Sequence, residues 1–138
     1  MATTAGLQLT SSILSNSISI NTSTTCMKAG TSADHLDMME SGYVEVVTGT
    51  NYDLLDADNS ANKDKANKVY ICNDSTDETY YVVITIDATV IGRLYGGDWM
   101  FIPWGAEDAT ADIEIQAYTG TNKISYAWFH EGKTLTSA

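Results

Sequence analysis

An all-β fold, an antiparallel β-sandwich or barrel of about 7–9 short strands with an extended N-terminal arm, follows from three features of this sequence. From Lys68 to Glu131 the chain is a series of short segments rich in Val, Ile, Tyr, Phe and Trp: 69–72, 79–86, 89–94, 99–104, 113–118 and 124–129. Turn-forming residues separate them: Asn73-Asp74-Ser75, Asp87-Ala88, Gly96-Gly97-Asp98 and Thr119-Gly120-Thr121-Asn122. Helical signals are nearly absent, confined to one weak stretch ahead of this region.

Taken in order, residues 1–25 are a zone of their own. No charged side chain occurs there, and Ser and Thr abound. A period-2 pattern through Ile13 and Ser17-Ile18-Ser19-Ile20-Asn21 predicts one strand. Disordered tails are usually rich in charge or proline. This one instead carries Leu7, Leu9, Ile13, Leu14, Ile18 and Ile20, side chains that are wasted unless they dock on a neighbouring subunit. The expected organisation is therefore an arm over 1–25 and a β-sandwich domain over 26–138.

Thr31 to Gly42 offers an N-cap, acidic residues in the first turn and a terminal glycine, which predicts a one- to two-turn helix. Tyr43-Val44-Glu45-Val46-Val47 reads as a strand, Thr48-Gly49-Thr50-Asn51 as a turn, and Tyr52 to Leu55 as a short apolar segment. Residues 56–67 are rich in Asn and Asp and read as an exposed loop. Tyr80 to Ile86 is apolar on both parities and should be covered on both faces, whereas Asp112 to Ala117 alternates and should keep one wet face. Pro103, the only proline, should end a strand or lie at a sheet edge. Trp99 shares a parity with Phe101, and Tyr126 with Trp128. With Ile113 and Ile115 these are the expected core, although exposed aromatic rings could alternatively stack on sugars.

A chain of 138 residues suits one domain. Eighteen acidic against seven basic residues give a net charge of -11, a field that repels phosphate backbones and argues against nucleic-acid binding. No apolar run approaches the ~20 residues of a membrane span. The N-terminus has neither a basic n-region nor a continuous apolar one, so synthesis and use in a cytoplasm are expected. Cys26 and Cys72 could pair only if the N-terminal segment lay beside the 69–72 strand, and reduced, buried thiols are the expectation.

Candidate chemistry is thin. Asp56, Asp58, Ser60, Asn62 and Asp64 mimic the start of a calcium loop, but Ala61 stands where the sharp turn needs glycine and Asn67 where a bidentate Glu belongs. His35 and His130 have acidic neighbours yet no nucleophile in a recognisable setting, and both are expected at the surface or a rim. Gly92, Gly96 and Gly97 lack the order and following residues of a phosphate loop, so tight turning is their expected role. The expectation is a non-enzymatic protein with no catalytic residues, no metal and no cofactor.

The run Gly92-Arg93-Leu94-Tyr95-Gly96-Gly97-Asp98-Trp99-Met100-Phe101-Ile102-Pro103-Trp104, then Asp112-Ile113-Glu114-Ile115, then Gly120-Thr121 before Ile124-Ser125-Tyr126-Ala127-Trp128-Phe129-His130-Glu131, resembles a pattern in small all-β virion proteins of tailed bacteriophages. There a glycine turn precedes an apolar–x–Pro-Trp strand, an Asp-Ile-x-Ile strand and a final Gly-Thr…apolar–x–Tyr strand. Lys68 to Asn73 and Asp77 to Val82 fit the same pattern, so the resemblance spans roughly residues 67–131. It implies a protein at the capsid surface that decorates or cements the head by binding major-capsid or other virion subunits. It also implies a homo-oligomer, with a trimer favoured. The alternative within the same resemblance is a head-fibre or tail accessory domain that binds host surface glycans.

Overall fold

The computed structural model describes the backbone of residues 4–10, 19–25 and 38–134 and the side chains of residues 40–130. The described residues form ten strands: β1 Thr4–Thr10, β2 Ser19–Thr25, β3 Met38–Val47, β4 Asn51–Leu55, β5 Lys65–Asn73, β6 Tyr81–Ile86, β7 Thr89–Tyr95, β8 Trp99–Gly105, β9 Ile113–Ala117 and β10 Thr121–Thr134. No helix forms among the described residues. β1 and β2 make a sheet of their own, and the other eight form two four-stranded antiparallel sheets, β3-β10-β5-β8 and β4-β9-β6-β7.

Numbered from β3, these eight strands pair first with eighth, second with seventh, third with sixth and fourth with fifth. That is one long antiparallel ribbon rolled up on itself, with the rolled edges joined by β10–β5 and β9–β6. The arrangement is a jelly roll, the double-sheet solution to the problem of exposed sheet edges.

Alternation along the strands decides what lies between the sheets. Val46, Val69, Ile71, Trp104 and Ile124 point inward from the first sheet; Leu55, Val82, Ile84, Leu94, Ile113, Ile115 and Ala117 point inward from the second. Two local irregularities modify the pattern. A bulge between Asp53 and Leu55 buries both Leu54 and Leu55, and another opposite Ile84/Thr85 leaves Val90 and Ile91 in solvent. The β6–β7 hairpin turns through only Asp87 and Ala88, at φ 49° and 55°, the left-handed geometry that a two-residue loop requires. Gly97, at φ 92°, opens the next tight turn.

Several expectations need correction. Residues 31–42 were assigned a helix; 31–37 lie outside the described residues, but Met38 to Gly42 belong to β3, paired along β10 from Tyr126 to His130. A long-range ladder outweighs weak local capping signals. Gly42 closes no helix there: it lies opposite Tyr126, whose ring occupies the space a Cβ would need. The polar loop after Leu55 ends sooner than expected, because β5 begins at Lys65 and Asn67 is fully buried. Pro103 lies on β8, an edge strand of its sheet. The described part of the N-terminal segment is folded back on itself, with Leu9 opposite Ile20 and Leu7 opposite Thr22. A single extended strand would leave all its N–H and C=O groups unpaired, and the ribbon satisfies those on the edge the two strands share. Ile13, Leu14 and Ile18 lie outside the described residues.

Candidate interaction faces

Each sheet turns one face inward and one outward, and the outer face of β3-β10-β5-β8 departs most from expectation. Its residues form rows across all four strands: Tyr43, Ser125, Cys72 and Trp99, then Ser41, Ala127, Tyr70 and Phe101. Phe129, Lys68 and Pro103 continue the face at one end, and Glu45 with Lys123 at the other. Trp99 and Phe101 therefore face outward, not into the core; Trp99 is 49% exposed and Phe101 half-buried. Their shared parity is real but selects the outer side. The inner parity of β8 is Met100, Ile102 and Trp104, with Trp104 only 2% exposed and its Nε1–H donating to the Ala111 carbonyl at 2.7 Å. Ile113 and Ile115 are fully buried, while Tyr126 and Trp128 are half-buried and pack against the core.

The rings of the outer face hold one another. Tyr70 and Trp99 lie 6.3 Å apart, and Phe101 meets Phe129 edge-on at 6.2 Å across the intervening strand β5. A side-chain hydrogen bond with Cys72, reinforced by burial, pushes the Tyr70 phenol up to about 12. Burial also raises the Cys72 thiol, which stays protonated and lacks the electropositive setting that activates a nucleophilic cysteine. Cys72 is half-buried rather than buried, and Cys26 lies outside the described residues. Among the described residues, the rows of this face hold one acid, Glu45, directly opposite Lys123, while Asp74 hydrogen-bonds the Cys72 thiol from the rim.

The outer face of β4-β9-β6-β7 is different in kind. At one end, Tyr81 on the inner strand β6 meets Tyr95 at 5.2 Å and Tyr118 at 5.7 Å, the latter within 6° of parallel. The Arg93 guanidinium lies over the Tyr81 ring, 5.0 Å from its centroid. The next row is Arg93, Val83, Gln116 and Asn51, and the one after it Val90, Thr85, Glu114 and Asp53. The Glu114 carboxylate accepts from Asn51 Nδ2 at 3.1 Å and from Thr85 Oγ1 at 3.3 Å. Val83, flanked in register by Arg93 and Gln116, is nearly buried on this face, so β6 is covered on both sides.

Two buried polar groupings sit at opposite ends of the sandwich. At one end, Asn73 on β5 crosses between the sheets: its Nδ2 donates to the Leu94 carbonyl at 3.0 Å and to Asn122 Oδ1 at 2.9 Å, and its Oδ1 accepts from the Ser75 amide. At the other, His130 is 3% exposed, a correction to its expected place at the surface. Its Nδ1 lies 2.9 Å from Asn67 Oδ1, and its Nε2 meets no hydrogen-bond partner among the described residues. Burial pushes this imidazole down from its ordinary value, Lys65 adds to the effect and Glu40 opposes it. Sequence periodicity misses both groupings, because Asn and His at strand ends read as loop residues. His35 lies outside the described residues.

The 56–64 loop spends several of its oxygens on itself, although the buried Asn62 Oδ1 meets no partner among the described residues. Asp56 Oδ1 accepts from the Asp58 amide, Asn59 Oδ1 from the Ala61 amide, and Lys63 Nζ pairs with Asp58 Oδ1 at 2.6 Å. An open cleft of about 220 Å³ lies between Asp74–Asp77, Tyr80, Thr121 and Lys123. It is smaller than the roughly 300–1,000 Å³ of usual small-molecule pockets, and its Asp77 carboxylate already accepts from the Thr79 amide and hydroxyl. No protein-family model matches the chain, and no curated protein matches it either.

Proposed function

We propose that the protein is a non-enzymatic structural component of a tailed-phage virion that decorates or cements the head by docking on major-capsid subunits. The observation that carries this reading is the outer face of β3-β10-β5-β8, where Tyr43, Tyr70, Trp99, Phe101 and Phe129 gather in rows whose one acid among the described residues is Glu45, with Asp74 and Asp98 at the rim beside Cys72. Enrichment in aromatic rings and depletion of charge are the compositional marks of the core of a protein–protein interface. Exposed apolar patches rimmed by polar residues mark interaction sites in soluble proteins. The remaining acidity keeps many copies apart in solution until a complementary surface is met.

The N-terminal ribbon adds a second attachment. A lone two-stranded hairpin is marginal in water, so β1 and β2 gain stability from a further surface or strand. Strand addition to a neighbour's sheet edge would use main-chain hydrogen bonds, with the apolar residues of 1–25 buried alongside. A shell repeats such contacts on a lattice, which turns modest affinities into avidity. The jelly roll recurs in viral capsid and lectin domains, a fold-level analogy that raises the prior for both readings without deciding between them.

The test is co-sedimentation of the purified chain with shells assembled from the major capsid protein encoded in the same genome. Stoichiometric binding that Trp99→Glu abolishes, with the circular dichroism spectrum unchanged, is expected. Absence of the chain from the shell pellet at micromolar concentration refutes the reading. The second reading, an accessory domain of a head fibre or tail that binds host glycans, is favoured by the exposed tyrosines on the opposite outer face.

A further inference from the structure

The tyrosine group on β4-β9-β6-β7 is built in a way that cross-strand pairing alone does not require. Strand order places Tyr81 between two neighbours: Arg93 and Tyr95 on β7, and Tyr118 just past the end of β9. The Arg93 guanidinium covers the Tyr81 ring while Tyr118 runs parallel to it. Three rings and a guanidinium thus brace one another, and Tyr118 remains 52% exposed and Tyr95 39% exposed. Rings held by their neighbours lose little freedom on meeting a ligand, which is the condition under which a flat stacking partner adds affinity.

Beside the rings stand groups that can fix orientation. Gln116 follows next along β9 on the same face, opposite Asn51, and Glu114 follows Gln116. Glu114 accepts only neutral donors, from Asn51 and Thr85, so it keeps lone pairs for hydroxyl groups. The turn at Thr48–Thr50 is tied to this end, with the Gly49 amide donating to the Ala117 carbonyl and Thr48 Oγ1 to the Gly120 carbonyl. A Cβ added at Gly49 would meet nothing within 4 Å, so the tip of this turn is open, and Tyr118 itself is 52% exposed.

We infer that this face is a binding site for a neutral oligosaccharide, whose pyranose rings stack on Tyr118 and Tyr95 while Gln116, Asn51 and Glu114 take its hydroxyl groups. The chemistry selects this class. Stacking needs the apolar C–H face of a sugar ring, and the amide and carboxylate row supplies both acceptors and donors at the edge. Charge excludes the acidic sugars: Asp53 and Glu114 face the site, Arg93 is engaged with Tyr81, and the whole molecule carries -11. The inference rests on the glycan reading and deepens it by naming the site and the sugar class. It leaves the other outer face untouched, so a copy docked there could still bind through this one.

The experiment uses the full chain with maltotriose, cellotriose and chitotriose as probes and sialyllactose as the acidic comparison, each titrated to about 10 mM by saturation-transfer NMR and calorimetry. Binding of at least one neutral trisaccharide, with sialyllactose weaker by about tenfold or more, is expected. Tyr118→Ala should weaken that binding about tenfold, the value of one aromatic stacking partner. Tyr118→Phe, which keeps the ring, should restore most of it. Melting curves of both variants verify that the sandwich is intact. Silence with all four probes overturns the site and the glycan reading together. Neutral-sugar binding unchanged in both Tyr118→Ala and Tyr95→Ala overturns the site alone and leaves that reading standing, as does a preference for sialyllactose.

Discussion

Trp99 and Trp104 stand five residues apart on one strand and face opposite ways, so replacing each in turn measures the sandwich directly. Trp104 is 2% exposed, and its Nε1–H reaches the Ala111 carbonyl at 2.7 Å. Truncating a buried Trp to Ala costs about 3–5 kcal/mol through lost contacts and the cavity left behind. The orphaned Ala111 carbonyl adds about 1 kcal/mol or more. A total of about 4–6 kcal/mol approaches the whole stability of a small domain, about 5–15 kcal/mol, so Trp104→Ala should be recovered mainly as aggregate. Trp104→Phe keeps most of the ring and loses the donor, and should cost about 1–3 kcal/mol.

Trp99, 49% exposed with Tyr70 as its ring partner, loses only part of a side chain's transfer energy on truncation. About 1 kcal/mol is expected for Trp99→Ala. With a urea m-value of about 2 kcal/mol/M, midpoints should fall by about 0.5 M for Trp99→Ala and about 1 M for Trp104→Phe. Far-ultraviolet circular dichroism should follow the unfolding, since both substitutions remove a fluorophore. Equal losses for Trp99→Ala and Trp104→Ala, or a soluble Trp104→Ala at wild-type stability, would show that the inner and outer parities of β8 have been assigned the wrong way round.

Asn73→Ala should cost about 2–4 kcal/mol in the same assay, because it removes a bond to Leu94 across the sheets and strips buried Asn122 of a partner; a cost below 1 kcal/mol refutes that role. The pH dependence of stability should carry a His130 signature. The folded-state value is depressed, so the unfolded chain binds the proton more tightly and stability falls as pH drops below the unfolded value of about 6.5. His130→Gln should flatten the urea-midpoint profile as pH falls below about 6.5, and an unchanged slope refutes the assignment. Ala88→Gly should raise stability by about 0.5–1 kcal/mol, since Ala88 sits at φ 55° in a two-residue turn where glycine is unstrained; a lower urea midpoint counts against this.

Strand positions were legible in the sequence because the turns punctuate so regularly. Asp87-Ala88 and Gly96-Gly97-Asp98 bound the strands that the segments predicted, and Pro103 does fall on an edge strand, whereas β10 begins at Thr121, inside the turn expected over 119–122. Facing was less legible. β8 is apolar at Trp99 and Phe101 and also at Met100, Ile102 and Trp104, so period 2 gives two answers of equal strength. Only tertiary pairing chooses between them: Trp99 and Phe101 are in register with Cys72 and Tyr70, which alternate with the buried Val69 and Ile71. At Met38 to Gly42 the expected helix gives way to a strand for a related reason, since the partner that pairs with these residues lies almost ninety residues away in β10.

Apolarity on both parities, which obscured the facing of β8, also bears on function. A sandwich that existed only to be soluble would keep its outer parities polar, as Glu114 and Gln116 are on β9. Here the outer parity of β5, β8 and β10 holds Tyr70, Trp99, Phe101, Ala127 and Phe129, half-buried except for the exposed Trp99, so part of their apolar area still faces water. Fewer acids are placed there than in the loops, where Asp56, Asp58, Asp74, Asp77, Glu78, Glu107 and Asp108 lie exposed. Much of the charge thus lies at the ends of the roll, while three tyrosines share one sheet surface and five aromatic rings the other. A partner meeting that surface covers rings without having to strip water from buried carboxylates, which is the costly step in forming any interface. The same logic ties the docking proposal to Trp99→Glu: one carboxylate placed among these rings should do more harm to shell binding than to folding.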